Sequence, residues 1–313
     1  MKEEVPAVVA MGCLLVVTQS LAVLLAIPFT ASGYEAFPNP EDPVNPILYV
    51  FLILAFTGLI LFAIKMGRKG FIRLFVLLAI FLTMIFVLSV PLYYLLLVAF
   101  EPATADLASM VISVAIAATV TFVSFKNPEW YVVDGVGITV AVGVTAIIGI
   151  SFAILPAIIL LVALAVYDAI SVYKTKHMVT LADAVTEQHL PILLVIPKSK
   201  SYSYKTEKGL KDQIKKKKKR EAMFMGLGDI IIPGALVVSA FRWLPDNLFL
   251  GFPAQILVAI FTMIGVVIGF SILMRFVLRG NPQAGLPLLN AGAILGFLIS
   301  YIVFYGDLIF GIV

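Results

Sequence analysis

The stretch at 131–172, YVVDGVGITVAVGVTAIIGISFAILPAIILLVALAVYDAISV, decides how this chain folds. It is almost continuously apolar. A single helix over it would be roughly 60 Å long, about twice the thickness of a bilayer's hydrocarbon core. Gly149, Ser151 and Pro156 are the residues able to turn it, so it reads as two antiparallel membrane helices joined tightly. Two acids, Asp134 and Asp168, lie within that apolar stretch, and each requires a physical reason to be there.

The rest of the chain repeats the pattern. Of its 313 residues 62% are hydrophobic and 13% charged, far from the mix of a domain whose solvent is water. Apolar runs fall near 7–27, 46–66, 71–97, 107–125, 131–149, 152–173, 222–243, 254–278 and 286–310. Lipid offers no hydrogen-bond partners, so runs of this length are helices. The first run is longer than a signal-peptide core and reads as a retained helix. The expected fold is an all-α polytopic membrane protein with nine transmembrane helices.

Charge placement tests that count, because Lys and Arg concentrate on the cytoplasmic side of membrane segments. With the N-terminus inside, the inner face collects Lys2, Lys65, Arg68, Lys69, Arg73, Lys126, thirteen basic residues from Lys174 to Arg220, Arg275 and Arg279. Only Arg242 falls outside, while outer loops carry Glu35, Glu41, Asp42, Glu101, Asp106 and Asp246. Nine helices with a cytoplasmic N-terminus and an extracytoplasmic C-terminus fit; eight or ten spoil the alternation. The net charge of +4 therefore reads as topology and gives no reason to expect nucleic acid.

One polar stretch is long, the inner loop 174–221. The chain is read in two parts, helices one to five (1–151) and helices six to nine (152–313), and the loop belongs to the second. Met178 to Leu190 carries Met178, Leu181, Ala182 and Val185 at helical spacing, which predicts a short amphipathic helix. Ile192 to Ile196, between Pro191 and Pro197, predicts a short strand. Ser199 to Arg220, with its Lys215 to Lys219 run, reads as a mobile linker that meets lipid headgroups. The sole cysteine, Cys13, sits in the first apolar run, so no intramolecular disulfide is expected. His177 and His189 share the loop without the spacing of a zinc-binding helix, and no metal or other cofactor is expected.

Four acids lie in or near apolar segments. Asp134, near the inner start of segment five, and Asp307, near the outer end of segment nine, can reach an interface. Asp168 and Asp229 stand deeper. Asp168 precedes Lys174 by roughly 9 Å of helix, and Asp229 follows Arg220 by about 13 Å. Both therefore lie at similar depth in the inner part of the membrane, on consecutive antiparallel helices that allow them to face each other. Two carboxylates brought together there resist double ionisation and share one proton. In that state one member can take a proton from water while the other donates to a carbonyl oxygen. Asp229 follows Gly226-Leu227-Gly228, and glycines there weaken the helix and let another backbone approach.

Tyr167-Asp168 and Gly226-Leu227-Gly228-Asp229 resemble the Tyr-Asp and Gly-x-Gly-Asp motifs of the presenilin and signal peptide peptidase family of intramembrane aspartyl proteases. Gln283-Ala284-Gly285-Leu286-Pro287 is similar to the family's Pro-Ala-Leu motif, with Ala284 and Gly285 standing for its Pro and Ala; Pro287-Leu288-Leu289 is a second register. The piece from Lys176 to Pro197 also looks like the segment after the sixth helix of presenilins, and the inside-N orientation is the presenilin arrangement. The resemblance implies cleavage of other proteins' transmembrane helices by Asp168 and Asp229. It implies substrate contacts at Tyr167, Gly226, Leu227, Gly228, Gly285, Leu286 and Pro287, and it implies no cofactor.

A substrate helix must unwind before its carbonyls can be attacked, and the extended peptide then needs a partner strand in lipid. Residues around Gly285 and Leu286, and the loop before segment seven, are candidates for that partner. A proton-coupled transporter or channel could use the same aspartates, and would show discontinuous helices at matching positions in two halves. A prepilin peptidase also uses Gly-x-Gly-Asp, with a cysteine-bearing cytosolic insert that this chain lacks. The compactness of the chain points to the plasma membrane of a microbe. Whether a second copy or accessory subunits take part is open.

Overall fold

The computed structural model describes residues 4–175, 181, 183, 185–199, 202–206, 221–279 and 283–306. Its helices follow the apolar runs closely: α1 (Val5–Ala31), α2 (Val44–Lys65), α3 (Lys69–Leu96), α4 (Pro102–Lys126), α5 (Trp130–Ser151) and α6 (Ile154–Ala169). After the loop come α7 (Gly228–Trp243), α8 (Ala254–Val277) and α9 (Leu286–Tyr305). Eight of these segments are long and apolar enough to cross a membrane; α7, with 16 residues, is shorter. Large apolar side chains such as Phe51, Leu74, Leu107 and Ile299 remain exposed, as lipid-facing positions do.

The long stretch at 131–172 does turn, at Phe152 and Ala153 between α5 and α6. The α1–α2 connection straps this turn. The Ala36 N–H donates to Ser151 Oγ at 2.8 Å, and the Ala153 N–H to the Pro40 carbonyl at 2.9 Å. From inside, Ser239 Oγ on α7 donates to the Phe152 carbonyl at 2.9 Å. Backbone groups freed by the break thus find partners within the protein, as burial requires.

Helix α7 is the central post of the bundle, packed by α1, α5, α6, α8 and α9. Nearly every residue from Ile230 to Ala240 is buried in consequence. Helices α8 and α9 form the most extensive pair. Gly265 and Gly269 of α8 meet Gly292 and Gly296 of α9 so closely that a Cβ on any of them would overlap the opposing backbone. Small residues four apart on both helices permit this approach and the dispersion contacts it brings. By contrast α2 buries only Pro46 and Ala63 and lies at the periphery.

Three expectations require correction. The chain is mostly helical but not all-α. Residues 222–226, read as the start of a membrane helix, form strand β2 (Ala222–Gly226), antiparallel to β1 (Leu193–Pro197). A second, two-residue pair joins β3 (Leu248–Phe249) to β4 (Phe252–Pro253). The apolar sequence Ala-Met-Phe-Met suits a buried strand as well as a helix, and the partner at 193–197 decides. The depth of Asp229 reckoned along a helix from Arg220 therefore does not hold. Asp229 is the second residue of α7, directly above the ribbon.

The loop is also more ordered than a linker at 202–206. Tyr204 is fully buried, begins a 3₁₀ turn, and packs edge-on to His189 and against Phe224. Leu181, Asp183 and Val185–Glu187 are helical, and Val185 and Leu190 pack with Ile72, Val76 and Val136 rather than facing lipid. Met178, Ala182, His177, the Lys215 to Lys219 run and Asp307 lie outside the described residues.

Candidate active site

Three segments converge at the N-terminal end of α7. Asp168 comes from the last turn of α6, which continues as a π-helical turn over Ile170–Lys174. Such wider turns are uncommon and gather at functional sites. Ser171 Oγ in that turn donates to the Asp168 carbonyl at 2.9 Å. Asp229 rises from the first turn of α7, where free backbone N–H groups favour a carboxylate.

The third segment is the start of α9. Leu286 and Pro287 fill its first two positions, and proline belongs there because the first-turn N–H groups have no helical acceptor. The Leu286 N–H donates to Asp168 Oδ2 at 3.1 Å. Gly285 faces the other acid: a Cβ on it would stand 2.8 Å from Asp229 Oδ1 and 3.0 Å from Oδ2. One dipeptide therefore touches both carboxyl groups, which lie within Coulombic reach of each other. Asp168 is 4% exposed, whereas Asp229 is half-buried.

The remaining sequence candidates divide. Gly226 ends β2 beside the second acid: a Cβ on it would stand 3.5 Å from Asp229 Oδ2. Gly228 is exposed with nothing within 4 Å of where a Cβ would stand, so it leaves open space beside Asp229 instead of accepting a packed neighbour. Leu227 turns away from the acids. Its side chain is 6% exposed and lies against Gly137 of α5, while its N–H donates to the Ile192 carbonyl at 3.3 Å. Tyr167 and Pro287 are half-buried on α6 and α9.

Sequence reasoning missed the residues that hold the third segment in place. Tyr173, in the π-helical turn, donates its hydroxyl to Gln283 Oε1 at 2.9 Å and accepts the Ala284 N–H at 3.3 Å. One turn deeper, Asn290 Nδ2 of α9 donates to the Leu161 carbonyl of α6 at 2.8 Å. These ties fix α9 to α6 on both sides of Leu286. A buried Asn in an apolar segment is a legible signal, since it must find a partner. Asp134, read as reaching an interface, is instead 5% exposed, with Oδ1 accepting the Val195 N–H of β1 at 2.7 Å.

Among the described residues no group of three or more His, Cys, Asp or Glu side chains could hold a metal ion. Fold and site together define a polytopic membrane protein with two acids brought near each other at the N-terminal end of its central helix. Residues 12–306 match the family described as signal-peptide peptidase, presenilin aspartyl protease. The chain belongs to that family and is an intramembrane aspartyl protease.

Two solved structures of a presenilin family intramembrane aspartate protease resemble it. One, in a C222 crystal form, is 33% identical with a TM-score of 0.66, and the match covers 95% of this chain and 99% of the other. The second, in a P2 form, is 34% identical with a TM-score of 0.63, over 94% and 97%. No curated protein matches the chain. None of the likenesses supports a transporter or channel.

Proposed function

We propose that Asp168 and Asp229 are the catalytic pair and that the substrate is an unwound transmembrane helix of another protein. The observation that carries the reading is the contact of Gly285 and Leu286 with both carboxyl groups. The two acids share one proton. The ionised member takes a proton from a water molecule as its oxygen attacks the scissile carbonyl carbon, and the protonated member donates to the carbonyl oxygen. The resulting gem-diol collapses when its C–N bond breaks and the leaving nitrogen takes a proton. A new carboxyl and a new amine are the products.

The unwound substrate pairs with β2. Residues 192, 194, 196 and 198 exchange hydrogen bonds with 227, 225, 223 and 221, a parity fixed by the Leu227 N–H to Ile192 carbonyl and Lys198 N–H to Glu221 carbonyl bonds. Ala222 and Phe224 therefore direct their backbone groups away from β1, and among the described residues no strand pairs with that edge. An extended peptide added there satisfies its own backbone and is led to Asp229. Tyr167, Gly226, Gly228, Gly285, Leu286 and Pro287 line its path, and Leu227 anchors the strand.

We further infer nine crossings, with β2 and α7 together forming the seventh, a cytoplasmic N-terminus, and residence in the plasma membrane of a microbe. Helices one to five (1–151) form the support and 152–313 carry the chemistry. Two ion pairs support these sides. Lys198 Nζ meets Glu4 Oε1 at 2.8 Å on the inner face, and Arg242 meets Glu35 at 3.8 Å on the outer. Lipid headgroups meet the basic loop, and a second copy or accessory subunits remain compatible with this arrangement.

Incubating the purified protein with a transmembrane peptide and weighing the products tests the reading. Complementary fragments whose new ends lie in the inner part of the span are expected. Fragments cut only outside the span would contradict it.

A further inference from the structure

Asp134 is a costly residue for the inner end of a membrane helix, yet it faces neither lipid nor water. Its Oδ1 accepts the N–H of Val195, a residue 61 positions away in β1. By the parity of the ribbon, Val195 directs its N–H away from β2. The carboxylate therefore occupies the outer edge of β1, the edge opposite the one offered to substrate.

The surroundings seat the ribbon on α5 over two turns. Val133 is buried with Val195, Tyr202, Tyr204 and Ala222. One turn further, Gly137 leaves room for the side chains that follow: a Cβ there would come 3.2 Å from Leu227 Cδ2 and 3.7 Å from Leu194 Cδ2. Asp134 lies between these contacts and adds a buried hydrogen bond from the Val195 N–H at 2.7 Å.

A two-stranded ribbon has two edges, and an extended peptide can add to either. Addition beyond β1 would leave the peptide three strand spacings, roughly 14 Å, from a peptide paired with β2. We propose that Asp134 is a positioning residue: its carboxylate closes the outer edge of β1 and holds the ribbon in register on α5, so that substrate pairs only with β2, three residues before Asp229. This rests on β2 being the strand that pairs with substrate.

The test uses the full chain in lipid and follows a transmembrane peptide, with rate and product ends read together. Asp134→Ala strands the buried Val195 N–H and loosens the ribbon on α5; it should lower kcat/KM at least about tenfold and scatter the product ends over neighbouring bonds. Asp134→Asn keeps an oxygen that accepts the Val195 N–H, so it should hold the wild-type ends and most of the rate. Val195→Pro removes the donor without touching the ladder to β2 and should reproduce the scatter. Adding Asp134→Ala to Val195→Pro should then cost little more.

Wild-type rate and ends in Asp134→Ala, or an Asp134→Asn as impaired as the alanine variant, would overturn the proposal. Phe224→Pro separates it from the reading beneath, because it removes the outward N–H of β2 itself. If Phe224→Pro stops cleavage while Asp134→Ala and Val195→Pro do not, substrate pairing stands and the role of Asp134 falls. If Phe224→Pro cleaves normally, β2 is not the pairing strand and both fall.

Discussion

Gly285 presses its bare Cα face against the Asp229 carboxylate, so close that a Cβ would lie 2.8 Å from Oδ1 and 2.9 Å from Cγ. The residue before α9 thereby sets where the acid of α7 can stand. Its neighbour Leu286 fixes the other acid through a 3.1 Å hydrogen bond to Asp168.

Gly285→Val should therefore disable the site while sparing the fold, whereas Gly285→Ala, which restores the residue of the family's Pro-Ala-Leu motif, should be milder. The branched side chain forces the Asp229 carboxyl, the end of a flexible side chain, away from its place beside Asp168. Cleavage by Gly285→Val should fall at least about tenfold with little change in the melting midpoint. Full activity in Gly285→Val would show that the close approach has no catalytic consequence.

Tyr173→Phe removes the hydroxyl that holds both Gln283 and Ala284. Each neutral hydrogen bond contributes about 0.5 to 1.5 kcal/mol, so losing both removes about 1 to 3 kcal/mol and a rate loss of at least roughly fivefold is expected, chiefly in kcat. Steady-state kinetics on a transmembrane peptide would reveal it. A change in KM alone would point to substrate contact instead of support for the 283–286 segment.

Gly292→Val should behave differently, because it separates α8 from α9 at their closest point. Stability and activity should fall together, by several degrees in the melting midpoint and by at least about tenfold in rate. Retention of both would argue that these helices are not held through their glycines.

The shared proton predicts a bell-shaped dependence of kcat/KM on pH. On the acidic side both carboxyls are protonated and no base remains to take the proton of water. On the alkaline side both are ionised and no acid remains to protonate the carbonyl oxygen. A profile flat across the titration of the pair contradicts the assignment.

Much of this was legible in sequence because apolar segments make every polar residue conspicuous. Most helix boundaries followed from hydropathy, and Asp168 and Asp229 stood out as acids in apolar segments, although the depth reckoned for Asp229 along a helix did not hold. Strand β2 was hidden, since Ala222 to Met225 are as apolar as a helix and their partner lies at 193–197. Asp134 was misread for a related reason: its acceptor role depends on a backbone N–H supplied by a distant strand. Gly265, Gly269, Gly292 and Gly296 stand four apart in the sequence, but only the fold shows that α8 and α9 meet through them and that this pair carries the segment bridging the acids.

The most direct test replaces each acid alone. Purified Asp168→Ala and Asp229→Ala proteins, incubated beside the wild type with one transmembrane peptide, should yield no fragments above background by mass spectrometry. Both should elute and melt as folded membrane proteins, and the wild type should cut within the span. Wild-type levels of product from either variant would mean that the chemistry does not reside in this pair.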